Sequence, residues 1–186
     1  KSGVDKDAAQ LLLEERMRQV QRRIMSQNHT RPVDAARLLN LPFMCIHTPA
    51  DNHAFWYIKK LLQKNRPETV RDIIDMLLEE PEYLKAKENS CGPQIILGSP
   101  KRKVGKVLIE MTGGTSGPRD VFKKLYKAGI RTLISMHMDE EHFKKGMDAN
   151  LNVVIAGHIS SDTLGLNLLL DRIEIEGRFH PLMEGG

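Results

Sequence analysis

The chain has 186 residues, of which 40% are hydrophobic and 28% are charged, and its formal net charge is +4. These values are typical of a folded globular protein and exclude intrinsic disorder and fibrous repeats, and the length allows a single α/β domain, 1–186, or a segment of a larger chain. No apolar run approaches the ~20 residues that span a bilayer, which excludes a membrane protein.

Three features of the sequence indicate the location of the protein, the extent of the chain and its binding partners. Cys45 and Cys91 are far apart in the sequence, so we expect neither a disulfide framework nor a zinc ribbon, and we predict a cytoplasmic protein. The first residues, Lys1–Asp5, contain neither a methionine nor a signal pattern, which predicts an internal segment of a longer chain. No aromatic residues are interleaved with the basic residues, so nucleic-acid binding is not expected.

Residues 1–40 are predicted to form a helical N-terminal part. Apolar residues recur at helical spacing over Ala8–Asn28, and a second helix is predicted over Pro32–Leu39 with Thr30 as its N-cap. The apolar run Pro42–His47 follows, with a proline at its start and Pro49 shortly after its end. We predict a buried strand for this run.

Two helices and an irregular connection are predicted next. Helical spacing marks one helix between Ala54 and Leu62 and another over Val70–Leu78, which Pro81 closes. The segment 85–106 is polar and rich in glycine and proline, apart from the apolar run Gln94–Leu97. It predicts an irregular connection that carries an edge strand.

From residue 106 onward, strand and helix patterns alternate. An alternation of this kind predicts right-handed crossovers and a mainly parallel sheet with helices on both faces. The fold class is therefore α/β, with the N-terminal helices preceding the first strand. The predicted elements are strand Lys106–Met111, helix Pro118–Ala128, strand Arg131–Met136, helix Asp139–Ala149, strand Asn152–Ala156 and helix Thr163–Ile173.

Three of the predicted strands end in a histidine: His47, His137 and His158. The ligand crevice of an open α/β sheet lies at the carboxyl ends of its strands, so the fold would bring these imidazoles together. A single histidine at a strand end is more often an ordinary hydrogen-bonded polar residue. Three at equivalent positions favour a functional site.

Carboxylates follow the histidines, and two of the pairs share the spacing His-x-x-x-Asp: His47 with Asp51, and His158 with Asp162. Imidazole and carboxylate together suit zinc, iron(II) or manganese. Each aspartate also has a purely structural interpretation as the N-cap of the helix that follows it. Both roles remain open, because a capping carboxylate can also bind a metal ion.

A glycine-rich turn, Met111–Pro118, connects a predicted strand to a predicted helix. Gly113, Gly114, Thr115 and Ser116 could hold an anionic group near the helix N-terminus. The turn matches neither of the established glycine-rich phosphate-binding motifs. A tight connection that needs glycine for its backbone conformation explains it equally well.

The chain resembles the Nif-three-like family, which includes dinuclear metal-centre proteins and homologues of a type-2 GTP cyclohydrolase I. The resemblance rests on His47–Asn52, similar to the family's His-Thr-x-x-Asp segment, and on Ala156–Asp162, similar to its late Gly-His-x-x-x-Glu segment. Between them, Gly113–Gly117 is similar to the family's glycine-rich turn, and Met138–His142 to a Gly-Glu segment with a trailing histidine. The match covers residues 34–173 in the family's order.

The resemblance implies a pair of divalent metal ions in the intact protein. Asp51 would bridge the ions, and His158 and Asp162 would complete the site. Asp162 replaces the usual glutamate, which shortens that ligand by one methylene group. The family's adjacent pair of histidines, expected some thirty residues before His47, is absent, so an N-terminally truncated segment is expected. The family also implies a homo-oligomer, a hexamer.

The leading functional hypothesis is a metal-dependent hydrolase. In it, His137 or His142 would transfer protons, and His47 with the residues Gly113–Ser116 would bind an unidentified small-molecule substrate. The alternative is an oligomeric scaffold or interaction protein in which the metal has no catalytic role. The two differ in the metal site, because a catalytic site keeps one coordination position open and a structural site is closed.

Overall fold

The computed structural model describes residues 3–24, 30–114 and 117–176. In these ranges the chain forms helices and one four-stranded sheet. The elements, in chain order, are α1 (Lys6–Ile24), α2 (Arg31–Leu38), α3 (His47–Asn65), α4 (Val70–Leu78), α5 (Pro81–Glu88), β1 (Gln94–Leu97), β2 (Lys106–Glu110), α6 (Val121–Lys127), β3 (Ile130–Ser135), α7 (Glu140–Asp148), β4 (Asn152–Ile155) and α8 (His158–Ile175).

The sheet confirms the predicted fold class. Its strand order is β1-β4-β3-β2, with β2, β3 and β4 parallel and β1 added antiparallel at one edge. Consecutive strand residues face opposite layers: Ile134 packs with α3, α4 and α8, whereas Leu133 packs with α6. Both faces are therefore covered by helices, as a mainly parallel sheet requires.

The predicted strand Pro42–His47 is wrong. The structure has no regular element between α2 and α3, and Phe43 and Met44 are more than half exposed. His47 is instead the first residue of α3, and Pro49 lies in its first turn. A proline is tolerated there because the first backbone N–H groups of a helix have no acceptor within it. An apolar run shows that burial is favourable, but it does not supply a partner strand.

Other boundaries differ from the predictions. Helix α4 ends at Leu78 as predicted, but Pro81 then opens α5, so the predicted irregular connection 85–106 begins inside a helix. Helix α8 begins at His158, five residues before the predicted start at Thr163. Helix α1 agrees with the first part of the prediction Ala8–Asn28, whose last residues lie outside the described ranges.

Close packing of α3 on α8 fixes the position of the two helix starts. A methyl group at Gly165 would overlap the backbone carbonyl of Ala50, so only glycine allows this approach. Tyr83 of α5 is fully buried, and its hydroxyl is 2.9 Å from that of Ser161 in the first turns of α8. No helix in the described ranges is long and apolar enough to cross a membrane.

Candidate functional site

Helices α3 and α8 begin with the same arrangement of side chains. His47 and His158 are the first residues of the two helices, and Asp51 and Asp162 follow one turn later. Residues four apart lie on the same face of a helix, so each aspartate approaches its histidine. His47 Nδ1 is 3.1 Å from Asp51 Oδ2, and His158 Nε2 is 3.5 Å from Asp162 Oδ2. Neither aspartate is an N-cap, so the capping interpretation is wrong for both.

The glycine-rich turn brings the two helix starts together. A Cβ atom added to Gly113 would lie 2.6 Å from His158 Nε2 and 3.1 Å from His47 Cε1, so both imidazoles border the same small space. A Cβ at Gly114 would lie 3.5 Å from His47 Nε2. Since no side chain at residue 113 would fit without displacing a ring, glycine here makes room for the two histidines.

Asp51 is the buried carboxylate of this cluster, with 9% of its surface exposed. Its Oδ2 accepts a hydrogen bond from the backbone N–H of Gly113 at 3.2 Å and lies beside His47. Its Oδ1 has no hydrogen-bond partner among the described residues. Burying a carboxylate oxygen without a partner is costly, and paired or metal-coordinating carboxylates are the usual exceptions.

His137 extends the cluster. It follows β3, and its ring centroid is 5.0 Å from that of His158, with a 35° angle between the rings. A cavity of about 220 Å³ is lined by His158 together with His47, Asp162 and neighbouring apolar residues. The four residues of the His-x-x-x-Asp pairs, together with His137 and Gly113, therefore form one site, which we call the paired-histidine site.

The side chains in this site have the right chemistry for a divalent metal ion but do not surround one. Imidazole nitrogens and carboxylate oxygens suit zinc, iron(II) and manganese, and the unpartnered Asp51 Oδ1 is an available ligand. In the described ranges, however, no three His, Cys, Asp or Glu side chains converge closely enough to hold an ion. The site therefore fits a metal in its donor set and provides only part of a coordination sphere.

His142 has a different setting from the other histidines. Its Nδ1 is 2.7 Å from Asp139 Oδ1, its Nε2 is 2.9 Å from the carbonyl oxygen of Gly117, and its ring packs edge-on against Phe122. Both ring nitrogens are occupied, so His142 connects the N-terminus of α7 to the glycine-rich turn.

Asp139 is the N-cap of α7 and accepts a hydrogen bond from the backbone N–H of His142 at 2.8 Å. Burial acts to raise the pKa of the Asp139 carboxyl, but hydrogen bonds from the backbone and ring of His142 outweigh it, and the pKa is lowered. The ionised carboxylate is therefore part of this connection at neutral pH.

The predicted site residues fall into three groups. His47, Asp51, Gly113, Gly114, His137, His158 and Asp162 come together. His142 is placed in the capping connection. Thr115 and Ser116 lie outside the described residues. Sequence reasoning missed the hydrogen bond that Ser135 donates to Glu110 at 2.7 Å, beside His137. A serine at the end of a buried strand was the available signal.

A structural comparison supports the family resemblance. The structure is similar to that of a NIF3 superfamily protein from Sphaerobacter thermophilus, with a TM-score of 0.75 over 94% of this chain and 25% sequence identity. This similarity supports a Nif-three-like family for the chain. The chain spans 65% of the length of the Sphaerobacter protein.

Other comparisons add little to this assignment. A Bacillus cereus protein related to NIF3 is more distant, with a TM-score of 0.38, 17% identity, and coverage of 60% of this chain and 29% of that one. No protein-family model matches the chain. No curated protein matches it either.

Proposed function

We propose that this Nif-three-like chain supplies part of a dinuclear divalent-metal site and that the whole protein is a metal-dependent hydrolase. Asp51 would bridge the two ions, and His158 and Asp162 would be further ligands. The observation that carries the proposal is the buried, unpartnered Oδ1 of Asp51, one turn from His47 and beside Gly113. The ions would be zinc, iron or manganese.

The arrangement of the chain's own residues supports a hydrolytic role. When bound, a pair of ions would supply an activated water near neutral pH. His137 is the histidine best placed to move a proton, since it is only partly buried and its ring lies against that of His158. His142 is the weaker candidate of the two, because both of its ring nitrogens are already hydrogen-bonded.

In this proposal, the residues that line the site bind the substrate. His47 and Asp162 border the cavity of about 220 Å³, and Gly113 and Gly114 leave space beside the imidazoles. This wall can receive a small polar or anionic group of the substrate. The incomplete set of ligands leads us to expect weak metal binding by the chain alone.

An oligomeric scaffold is the second candidate, and exposed apolar side chains favour it. Large contiguous apolar patches on a protein surface commonly mark interaction sites. The segment from the end of α2 to the start of α3 carries five large apolar side chains that are each more than half exposed: Leu38, Leu39, Leu41, Phe43 and Met44. We therefore propose a homo-oligomer in either case, with the family's hexamer as the expected form. A cytoplasmic location fits the free thiols of Cys45 and Cys91.

A metal titration with matched histidine variants tests the proposal. Calorimetry with Zn²⁺ and Mn²⁺ should detect binding to the wild-type chain, and His158→Ala should weaken it by about tenfold or more. His53→Ala is the control, because His53 lies in α3 but does not line the cavity. Equal binding by all three proteins would contradict the assignment.

The two candidate functions can be separated with Mn²⁺. An ion with an open, water-occupied position enhances the relaxation of bulk water protons, whereas a closed structural site excludes water. The measurement needs the whole protein, because the ligands that this chain lacks would leave positions open to water under either hypothesis. Strong enhancement with the metal-loaded whole protein supports the hydrolase. Little enhancement supports the scaffold.

A further inference from the structure

A second and larger cavity lies between α5 and the start of α8. Its volume is about 530 Å³, and α5 contributes Glu82, Lys85 and Ala86 to its wall. The start of α8, residues 157–160, forms the facing wall. Ligand sites in proteins commonly have volumes of about 300–1,000 Å³, so this cavity is large enough for a small organic molecule.

Two hydrogen bonds between the helices fix the distance between these walls. The hydroxyl groups of Tyr83 and Ser161 are 2.9 Å apart, and Tyr83 is fully buried. Farther along α8, the amide of Asn167 donates to the carboxylate of Glu82 at 2.7 Å. Both contacts join side chains of the protein itself and need no ligand. The cavity is therefore preformed, as most sites for small molecules are.

The walls of the cavity are mainly apolar, and the charged side chains in them already have partners. Lys85 forms an ion pair with Glu88 at 2.8 Å, and Glu82 accepts the hydrogen bond from Asn167. Ile159 is 81% exposed, so the wall also includes a large apolar side chain in contact with solvent. A charged ligand would lose hydration against such walls without meeting an unpaired opposite charge, so they favour a neutral apolar group.

Two polar side chains in the wall have no side-chain partner among the described residues. They are the carboxamide of Asn89 and the free thiol of Cys91. A carboxamide both donates and accepts hydrogen bonds, whereas a thiol is a weak donor. Asn89 therefore suits a neutral ligand group that also donates and accepts. Mainly apolar walls with a few polar groups are the usual composition of a site for a small organic ligand.

His158 connects this cavity to the paired-histidine site. It lines the cavity of about 220 Å³ together with His47 and Asp162, and it also lines the cavity between α5 and α8. A molecule in the larger cavity would therefore lie beside one of the proposed metal ligands.

We propose that the cavity between α5 and α8 binds the body of the substrate, a neutral aryl or branched alkyl group, while the polar reacting group of the same molecule lies at the paired-histidine site. The position of the reacting group rests on the proposed metal-dependent function. The binding of an apolar body rests only on the cavity and its walls.

Benzamide is a suitable probe of the cavity in the metal-free chain, because it combines an apolar ring with a neutral amide. The chain contains two cysteines, so Cys45→Ser leaves Cys91 as its only thiol. Benzamide should slow the alkylation of Cys91 by iodoacetamide, by about tenfold at about ten times its dissociation constant. In the control variant Cys91→Ser, the same titration should leave the alkylation of Cys45 unchanged.

Filling the cavity gives a matched pair of variants in the Cys45→Ser background. Ala86→Phe should abolish the protection of Cys91, because the added ring occupies the cavity. Leu84→Phe, on the same helix but not in the cavity wall, should retain it. Circular dichroism establishes that each variant is folded. A rate of Cys91 alkylation that does not respond to benzamide, or equal protection of Cys45, would overturn the proposal.

A pair of hydroxamates, which chelate metal ions, tests whether the cavity and the metal site hold one molecule. In the Zn²⁺-loaded chain, benzohydroxamate should bind about tenfold more tightly than acetohydroxamate, because its ring is buried in the cavity. This difference should disappear in Ala86→Phe. Equal affinities in the wild type would overturn the shared site. Binding of neither hydroxamate would contradict the metal site, whereas protection by benzamide would still establish the cavity, so the two proposals fail separately.

Discussion

Replacing Gly113 by alanine tests how the paired-histidine site is built. The added methyl group would lie 2.6 Å from His158 Nε2 and 3.1 Å from His47 Cε1. Ordinary contacts begin near 3.4 Å, so the ring of His158 must move by about 0.8 Å. Metal sites tolerate ligand displacements of only about 0.2 Å. We therefore expect metal affinity to fall by about 10- to 100-fold, the range found when the support of a ligand is lost.

The same substitution should leave the metal-free fold almost unchanged. The side chain of His158 is 42% exposed and can swing toward solvent. Gly113 does not have a positive φ, so alanine adds no backbone strain. The loss of glycine's freedom in the unfolded chain even favours the variant by about 0.4–1 kcal/mol.

Gly117→Ala is the matched control, since a Cβ there meets none of the described residues within 4 Å. The assay is calorimetric titration with Zn²⁺ beside thermal unfolding of the metal-free proteins. The affinity for Zn²⁺ should fall in Gly113→Ala and should stay at the wild-type value in Gly117→Ala. Wild-type affinity in Gly113→Ala, or a loss of equal size in both variants, would refute the account of the glycine.

Three further predictions concern stability. Gly165→Ala should destabilise the protein by about 1–3 kcal/mol, because its methyl group overlaps a backbone carbonyl. The helical control Gly146→Ala, whose methyl group meets only side-chain ends, of Leu97 at 3.0 Å and of Val153 at 3.8 Å, should be close to neutral in the same denaturant titration. Tyr83→Phe should lose about 1 kcal/mol, because it removes the buried hydrogen bond to Ser161, and unchanged stability would show that the bond is not formed. The ionised Asp139 carboxylate should contribute its full share to the free energy of unfolding above the carboxyl pKa of the unfolded chain. This contribution should be lost as the pH falls through the lowered pKa of the folded state. The difference in melting temperature between wild type and Asp139→Asn should therefore shrink as the pH falls through this lowered pKa, and a difference that does not change with pH would contradict it.

The alternation of strands and helices after residue 106 could be predicted because each element carries its own periodicity. The parallel sheet follows from that order, and it places His137 and His158 at the same edge. The convergence of these two histidines was therefore predictable. The predicted position of His47 near these two histidines agrees with the structure, but the reasoning behind it was wrong. His47 begins a helix and does not end a strand.

The remaining features depend on contacts that a linear sequence does not show. The run Pro42–His47 is apolar enough for a strand, yet strand formation needs a neighbour. Helix α8 begins early because Gly157, with φ of 110°, turns the chain directly after β4. The role of Gly113 depends on rings that come from residues far away in the sequence. The capping interpretation of Asp51 and Asp162 was wrong because both helices start four residues before the aspartates.

Metal content after substitution of Asp51 tests the central claim most directly. An asparagine at this position could still accept the hydrogen bond from Gly113, but it offers a neutral oxygen where a bridging ligand needs charge. Asp51→Asn should therefore keep or slightly raise the melting temperature of the metal-free chain, because a buried charge is removed. By elemental analysis, bound Zn²⁺ or Mn²⁺ should fall by about half or more, with a smaller loss for Asp162→Asn. Full metal content in Asp51→Asn, with unaltered affinity, would contradict the claim that this carboxylate is a metal ligand.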